Sequence, residues 1–232
     1  MSETDQAAPV FEHEREPTRI YLISPLDVAG DFPQRLAHAL AAVPENPYAP
    51  AAFQLRVKGV DEHEAARLAE PLQRVCADAG VAFIVNDSVS LAKRLGADGV
   101  HLGQSDLAEY DDPREVRQLL GKDAQIGVTC HASRHLGMEA GDLGADYVAF
   151  GAFHPTITKT VEHRAEPEIL TWWQGLFEIP CVAIGGITPS NAAPLVRAGA
   201  DFLAVSGAIW QGDEATNTRA LAAAIAQGFA PT

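Results

Sequence analysis

The chain reads as a single (β/α)8 (TIM) barrel, and three observations predict it. Eight short apolar or β-branched runs alternate with amphipathic stretches, a Gly-Ala-Asp pattern recurs three times ahead of even-numbered runs, and 232 residues suit one barrel domain. The composition, 47% apolar and 21% charged, supplies enough hydrophobic surface for a sizeable core.

The predicted strands are residues 19–24, 52–56, 82–86, 99–102, 125–129, 147–151, 181–184 and 202–205. A helix over 32–43 follows the first strand, and the proline-rich stretch 44–50 then reads as a surface loop on the N-terminal face. Residues 61–79 read as a helix because Ala65, Leu68, Ala69, Leu72 and Val75 share one face. A Thr-Pro signal opens a further helix over 188–198. The repeats Leu95-Gly96-Ala97-Asp98-Gly99-Val100, Leu143-Gly144-Ala145-Asp146-Tyr147-Val148 and Ala198-Gly199-Ala200-Asp201-Phe202-Leu203 are read as structural. Each glycine suits the left-handed position that ends a helix, and each apolar run starts the next strand.

Residues 1–18, polar and acidic, are expected to form a disordered N-terminal tail without signal-peptide character, and residues 19–232 the barrel domain. A net charge of -14 repels polyanions, which argues against nucleic acid and anionic membranes as partners. An anionic substrate then requires a local basic cluster. Cys76, Cys130 and Cys181 show no ligand or disulfide spacing and read as free thiols of a cytoplasmic protein.

Catalytic residues of such barrels lie at strand C-termini and in the loops that follow. Gln54, Arg56 and Lys58 alternate along one side at the end of strand two, a doubly basic face suited to an anion. Asn86-Asp87 ends strand three, where an Asx helix cap competes with a metal-ligand role. Strand four leads through His101 into Gly103-Gln104-Ser105-Asp106. Two carboxylates on adjacent loops beside two cations make a magnesium pyrophosphate site. After strand six, Pro155-Thr156-Ile157-Thr158-Lys159 offers hydroxyls and a lysine to phosphate oxygens. Gly185-Gly186 and Ser206-Gly207 match the phosphate site that barrels build after strands seven and eight. His131 is a proton-transfer or helix-cap candidate, Cys130 has no activating partner, and Trp172-Trp173 reads as packing.

These motifs, in this order over about residues 19–211, resemble the thiamine phosphate synthase family. The resemblance implies a transferase that joins hydroxymethylpyrimidine pyrophosphate to hydroxyethylthiazole phosphate and releases pyrophosphate by a dissociative mechanism. It implies catalytic contacts to pyrophosphate from Arg56, Lys58 and Lys159, with Asn86 beside them, and Mg2+ bound by Asp87 and Asp106. Gln54, His101 and Thr129 would surround the pyrimidine, while Thr156, Thr158, Gly186 and Ser206 would hold the thiazole phosphate. Departures from the family pattern fall at Val57 and Gly59, where acidic residues are usual, at Thr129 in place of serine, and at His154 in place of an aromatic or apolar residue. The partners expected are small molecules, and homo-oligomerisation is allowed. Two other readings compete: a thiazole tautomerase-like isomerase using His131, and a catalytically silent phosphate-binding paralogue.

Overall fold

The computed structural model describes residues 15–110, 114–155 and 164–229. Eight parallel strands close into a barrel in sequence order. They are β1 (Arg19–Ile23), β2 (Pro50–Leu55), β3 (Ala82–Asn86), β4 (Gly99–Leu102), β5 (Gln125–His131), β6 (Tyr147–Gly151), β7 (Cys181–Ile184) and β8 (Phe202–Val205). The pairing of β8 with β1 closes the ring. The helices of the described residues are α1 (Phe32–Leu40), α2 (Glu62–Asp78), α3 (Val89–Leu95), α4 (Gln104–Leu107), α5 (Glu115–Leu120), α6 (Arg134–Asp142), α7 (Glu168–Gln174), α8 (Ala192–Ala198), α9 (Gly207–Trp210) and α10 (Glu214–Phe229).

Local chemistry explains most boundaries. Asp61 accepts the Glu64 N–H at 2.8 Å and starts α2, whose Ala65, Ala69, Leu72 and Cys76 are buried. The three repeat glycines, Gly96, Gly144 and Gly199, sit at φ +56°, +84° and +114°, as a left-handed helix end requires. The repeat aspartates have a job as well. Asp98, Asp146 and Asp201 each accept a backbone N–H, from Phe83, Ile126 and Cys181 respectively, at 2.7 Å. Each thus ties the entry of an even strand to the entry of the odd strand before it.

Several boundaries differ from the sequence prediction: β1 ends one residue early at Ile23, β2 starts at Pro50 inside the expected loop, and four others have a local cause. α1 stops at Leu40, since Val43 precedes Pro44 and is disfavoured in helical conformation. β2 ends at Leu55 because the Arg56 N–H turns to the Ser24 Oγ at 2.8 Å. β5 runs on to His131 through an irregularity that pairs Thr129 with Ala149 and His131 with Phe150. α8 begins at Ala192, since Asn191 draws residues 186–188 into a turn: its Oδ1 accepts the Thr188 N–H at 2.8 Å, and its Nδ2 donates to the Gly186 carbonyl at 3.0 Å.

The packed body also extends below the expected boundary at residue 19. Thr18 is fully buried and donates to the Ala200 carbonyl at 2.6 Å. Arg15 donates to the carbonyls of Val196 (2.6 Å) and Ala200 and lies 5.2 Å above the Phe229 ring. Residues 15–18 are therefore part of the barrel, and the rest of the expected tail, 1–14, lies outside the described residues.

Two hydrophobic layers result. Leu22, Phe53, Leu55, Val85, Val100 and Phe150 pack outward against the helices. Inside the barrel stand Tyr21, Ile23, Ile84, Tyr147, Ala149, Val182 and Ala204, where two tyrosines fill volume left by small neighbours. Gly127 makes room for one of them, since a Cβ there would overlap the Tyr147 ring.

Candidate active site

The C-terminal strand ends surround a cavity of about 970 Å³. Gln54, Arg56, Asn86, His101, Thr129, Gly186 and Ser206 all line it, as do His131 and Pro155. Among the described residues, the fold thus gathers into one mouth side chains that the sequence scatters over more than 150 positions.

At one rim lies an acidic and basic corner. The Lys58 Nζ stands 3.3 Å from the Asp87 Oδ2, and the Asp87 N–H donates to the His101 carbonyl at 2.8 Å. Asp87 takes a left-handed φ of +67°, strained for a residue with a side chain. The helix cap that competed with a ligand role belongs to its neighbour: the Ser88 Oγ accepts the Leu91 N–H at 3.1 Å and starts α3. The Asp87 carboxylate is left to Lys58, and it lies near enough to Asp106 for the two acidic groups to interact. Asp106 also accepts the Gly103 N–H at 2.7 Å. Burial, reinforced by the charge of Asp87, pushes the Asp106 carboxyl above its ordinary range. Two crowded carboxylates of this kind are relieved by a cation. Their donor set of two oxygen-bearing groups suits Mg2+, which keeps waters and phosphate oxygens among its ligands.

The floor is a polar chain inside the barrel. The Gln54 Nε2 donates to the Tyr21 hydroxyl at 3.0 Å, and that hydroxyl meets the Tyr147 hydroxyl at 2.8 Å. The Tyr147 hydroxyl lies 3.2 Å from His101 Nδ1, and His101 Nε2 lies 2.9 Å from the Thr129 Oγ1. The His101 and Tyr147 rings stack with centroids 5.6 Å apart. Burial pushes the Tyr21 hydroxyl up to about 12 and the Tyr147 hydroxyl well above its usual value, so both stay protonated.

The opposite wall is glycine-rich. Gly185 and Gly186 take φ of +103° and +61°, and side chains there would run into Ala152 and His154–Pro155 of the neighbouring loop. Ser206 leads into α9, which Trp210 fastens to the barrel by donating its Nε1–H to the Ile23 carbonyl at 2.7 Å. The Ser206 hydroxyl reaches the Ser24 carbonyl at 3.3 Å.

Thr156, Thr158 and Lys159 lie outside the described residues. His131 adopts φ +51° at the cavity wall, and the cap of α6 falls to Ser133 instead, whose Oγ accepts the Leu136 N–H at 3.2 Å. Burial pushes the Cys130 thiol up to about 12, which suits a packing residue and not a nucleophile. Trp173 is fully buried against Phe150 and Phe177. Sequence reasoning missed Tyr21, Tyr147, Ser24 and Gln211, all of which line the cavity or its floor. Period-two alternation on the interior side of β1 and β6 was the available signal for the tyrosines.

Comparison with known proteins narrows the reading. The family model described as thiamine monophosphate synthase matches residues 20–209. The chain belongs to that family. It is 64% identical over 212 residues to a thiamine-phosphate synthase of Erythrobacter litoralis, covering 90% of this chain and 96% of the relative. Identity to a thiamine-phosphate synthase of Rhodospirillum centenum is 54% over 192 residues, 83% and 89% of the two chains. The fold superposes on a thiamine phosphate pyrophosphorylase of Pyrococcus furiosus with a TM-score of 0.75 at 26% identity, covering 93% and 98%.

Within the family frame the departures have local explanations. Val57 packs against the core, and Gly59 sits at φ +76°, where a side chain would be strained. Thr129 retains the hydroxyl that a serine would offer to His101. His154 stands with its Nδ1 3.5 Å from the Arg164 Nη2; burial and that guanidinium lower its pKa and favour the neutral ring.

Proposed function

We propose that this barrel is a thiamine phosphate synthase: a transferase that joins hydroxymethylpyrimidine pyrophosphate to hydroxyethylthiazole phosphate and releases pyrophosphate. The observation that carries the reading is the corner of Lys58, Asp87 and Asp106 at the rim of a cavity whose floor is Gln54, His101 and Thr129. A pyrophosphate at that corner sets the attached pyrimidine over the polar floor. Gly186 and Ser206 line the facing wall, where the thiazole phosphate would lie.

Asp87 and Asp106 would hold Mg2+, which when bound supplies positive charge to pyrophosphate oxygens. Arg56 and Lys58, joined by Lys159, neutralise the leaving group as its carbon–oxygen bond breaks and the electron pair departs with pyrophosphate. Asn86 adds an amide to the same anion. The electron-rich pyrimidine carries the resulting cation, and the thiazole nitrogen donates its lone pair to the methylene carbon. Thr156, Thr158, Gly186 and Ser206 are the groups that would hold the phosphate of that nucleophile. The protein thus stabilises charge and positions reactants, and little acid–base chemistry is asked of it. An isomerase acting through His131 would have no use for the acidic and basic corner.

The test is direct. With Mg2+ and both substrates, purified protein releases pyrophosphate and forms thiamine phosphate, and omission of either substrate stops it. Absence of product from the pair would end the synthase reading.

A further inference from the structure

The polar chain beneath the cavity has a direction. Gln54 engages Tyr21 through its Nε2, which only donates, so the Tyr21 oxygen accepts. The one proton of Tyr21 then has the Tyr147 oxygen as its partner, and in this buried interior it must be used. Tyr147 in turn gives its proton to His101 Nδ1 at 3.2 Å. A neutral imidazole that accepts at Nδ1 carries its proton on Nε2, and that proton goes to the Thr129 Oγ1 at 2.9 Å. The Thr129 hydroxyl proton is left for the cavity, and so is the Gln54 Oε1.

We infer that Tyr21 and Tyr147 are positioning residues that fix this polarity, so that the floor offers an acceptor at Gln54 and a donor at Thr129. Such a pair fits an aromatic ring with an amino group beside a ring nitrogen. The same ring with an oxo group beside a ring N–H reverses both partners and is rejected, because a site built to hydrogen-bond discriminates strongly against groups that leave it unpaired. The choice of an aminopyrimidine rests on the synthase reading, whereas the polarity itself rests on the hydrogen bonds alone.

Two measurements without turnover test it. In protein labelled with 15N-histidine, the His101 signals are identified among the eight histidines by their loss in His101→Asn. The expected pattern is an unprotonated Nδ1 and a protonated Nε2. By calorimetry, the free aminopyrimidine alcohol binds at least about 10-fold more tightly than its oxo counterpart. Tyr21→Phe, which keeps the packing and touches His101 only through Tyr147, is expected to mix the two tautomers and shrink that preference. A protonated Nδ1 in the native protein would overturn the inference, and so would a Tyr21→Phe variant with tautomer and preference both unchanged. If that variant does not fold, the native spectrum alone decides. A native Nε2–H tautomer in a protein that makes no thiamine phosphate would instead overturn the synthase reading and leave the polarity standing.

Discussion

Lys58 and Gly127 show how far single residues carry the account. Lys58 is half-exposed and paired with Asp87, so its removal costs the fold little. Lys58→Ala is accordingly expected to keep the melting temperature within a few degrees while lowering kcat by about 10²–10³-fold, the scale for loss of one charge-stabilising group. Steady-state pyrophosphate release beside a thermal melt checks both halves. Gly127→Ala should do the reverse in kind: a Cβ there displaces the Tyr147 ring, which should destabilise the barrel by about 1–3 kcal/mol. Denaturant titration reads that loss. Gln54, Arg56, Asn86, His101, Thr129, Gly186 and Ser206 were legible in the sequence because barrel topology leaves few places for polar residues at strand ends. Tyr21 and Tyr147 were not. An aromatic in a strand reads as core, and nothing local announces a hydrogen bond between residues 126 positions apart.

Among elements, the repeats and α10 repay attention. The sequence predicted the three repeats as structural, and their glycines end helices as expected, but the aspartates act on a strand that precedes them by 15 or 20 residues. That partner is set by strand pairing, which no local pattern states. Asp98→Ala should lose about 1–3 kcal/mol by orphaning the Phe83 N–H, readable in a denaturant melt. α10 is fastened to α1 by Glu214, which faces Arg35 and His38 at 3.2 Å each. Burial would raise the Glu214 pKa, but hydrogen bonds from its own backbone N–H, Arg35 and His38 outweigh it, and the net shift is downward. A depressed carboxyl stabilises above its unfolded pKa and loses that contribution as pH falls through the folded value. Glu214→Gln should therefore melt lower than the parent at neutral pH, with the gap closing as pH drops below about 4. Helix boundaries were the least legible feature: α8 starts at Ala192 because Asn191 spends its amide on the Gly186 turn, a tertiary contact with the glycine wall.

The whole molecule sets a strongly negative chain, -14 in net charge, around a site for two phosphorylated substrates. Attraction is confined to the mouth, and the long-range field opposes it, so moderate salt should lower KM for the pyrophosphate substrate by screening that field. Among the described residues no helix is long and apolar enough to cross a membrane. Fold class and strand order were readable from alternation and repeats, since a closed barrel constrains both. The closeness of Asp87 to Asp106 was readable as two carboxylates on adjacent loops, whereas the left-handed backbone of Asp87 was not. That closeness is the centre of the account. The measurement that tests it most directly is product formation from both substrates with and without Mg2+, in the native protein and in Asp87→Ala and Asp106→Ala. Thiamine phosphate and pyrophosphate should appear together in the native protein, vanish with chelator, return with Mg2+, and fall by at least about 10²-fold in each variant. Full activity in the chelated protein or in both variants would contradict it.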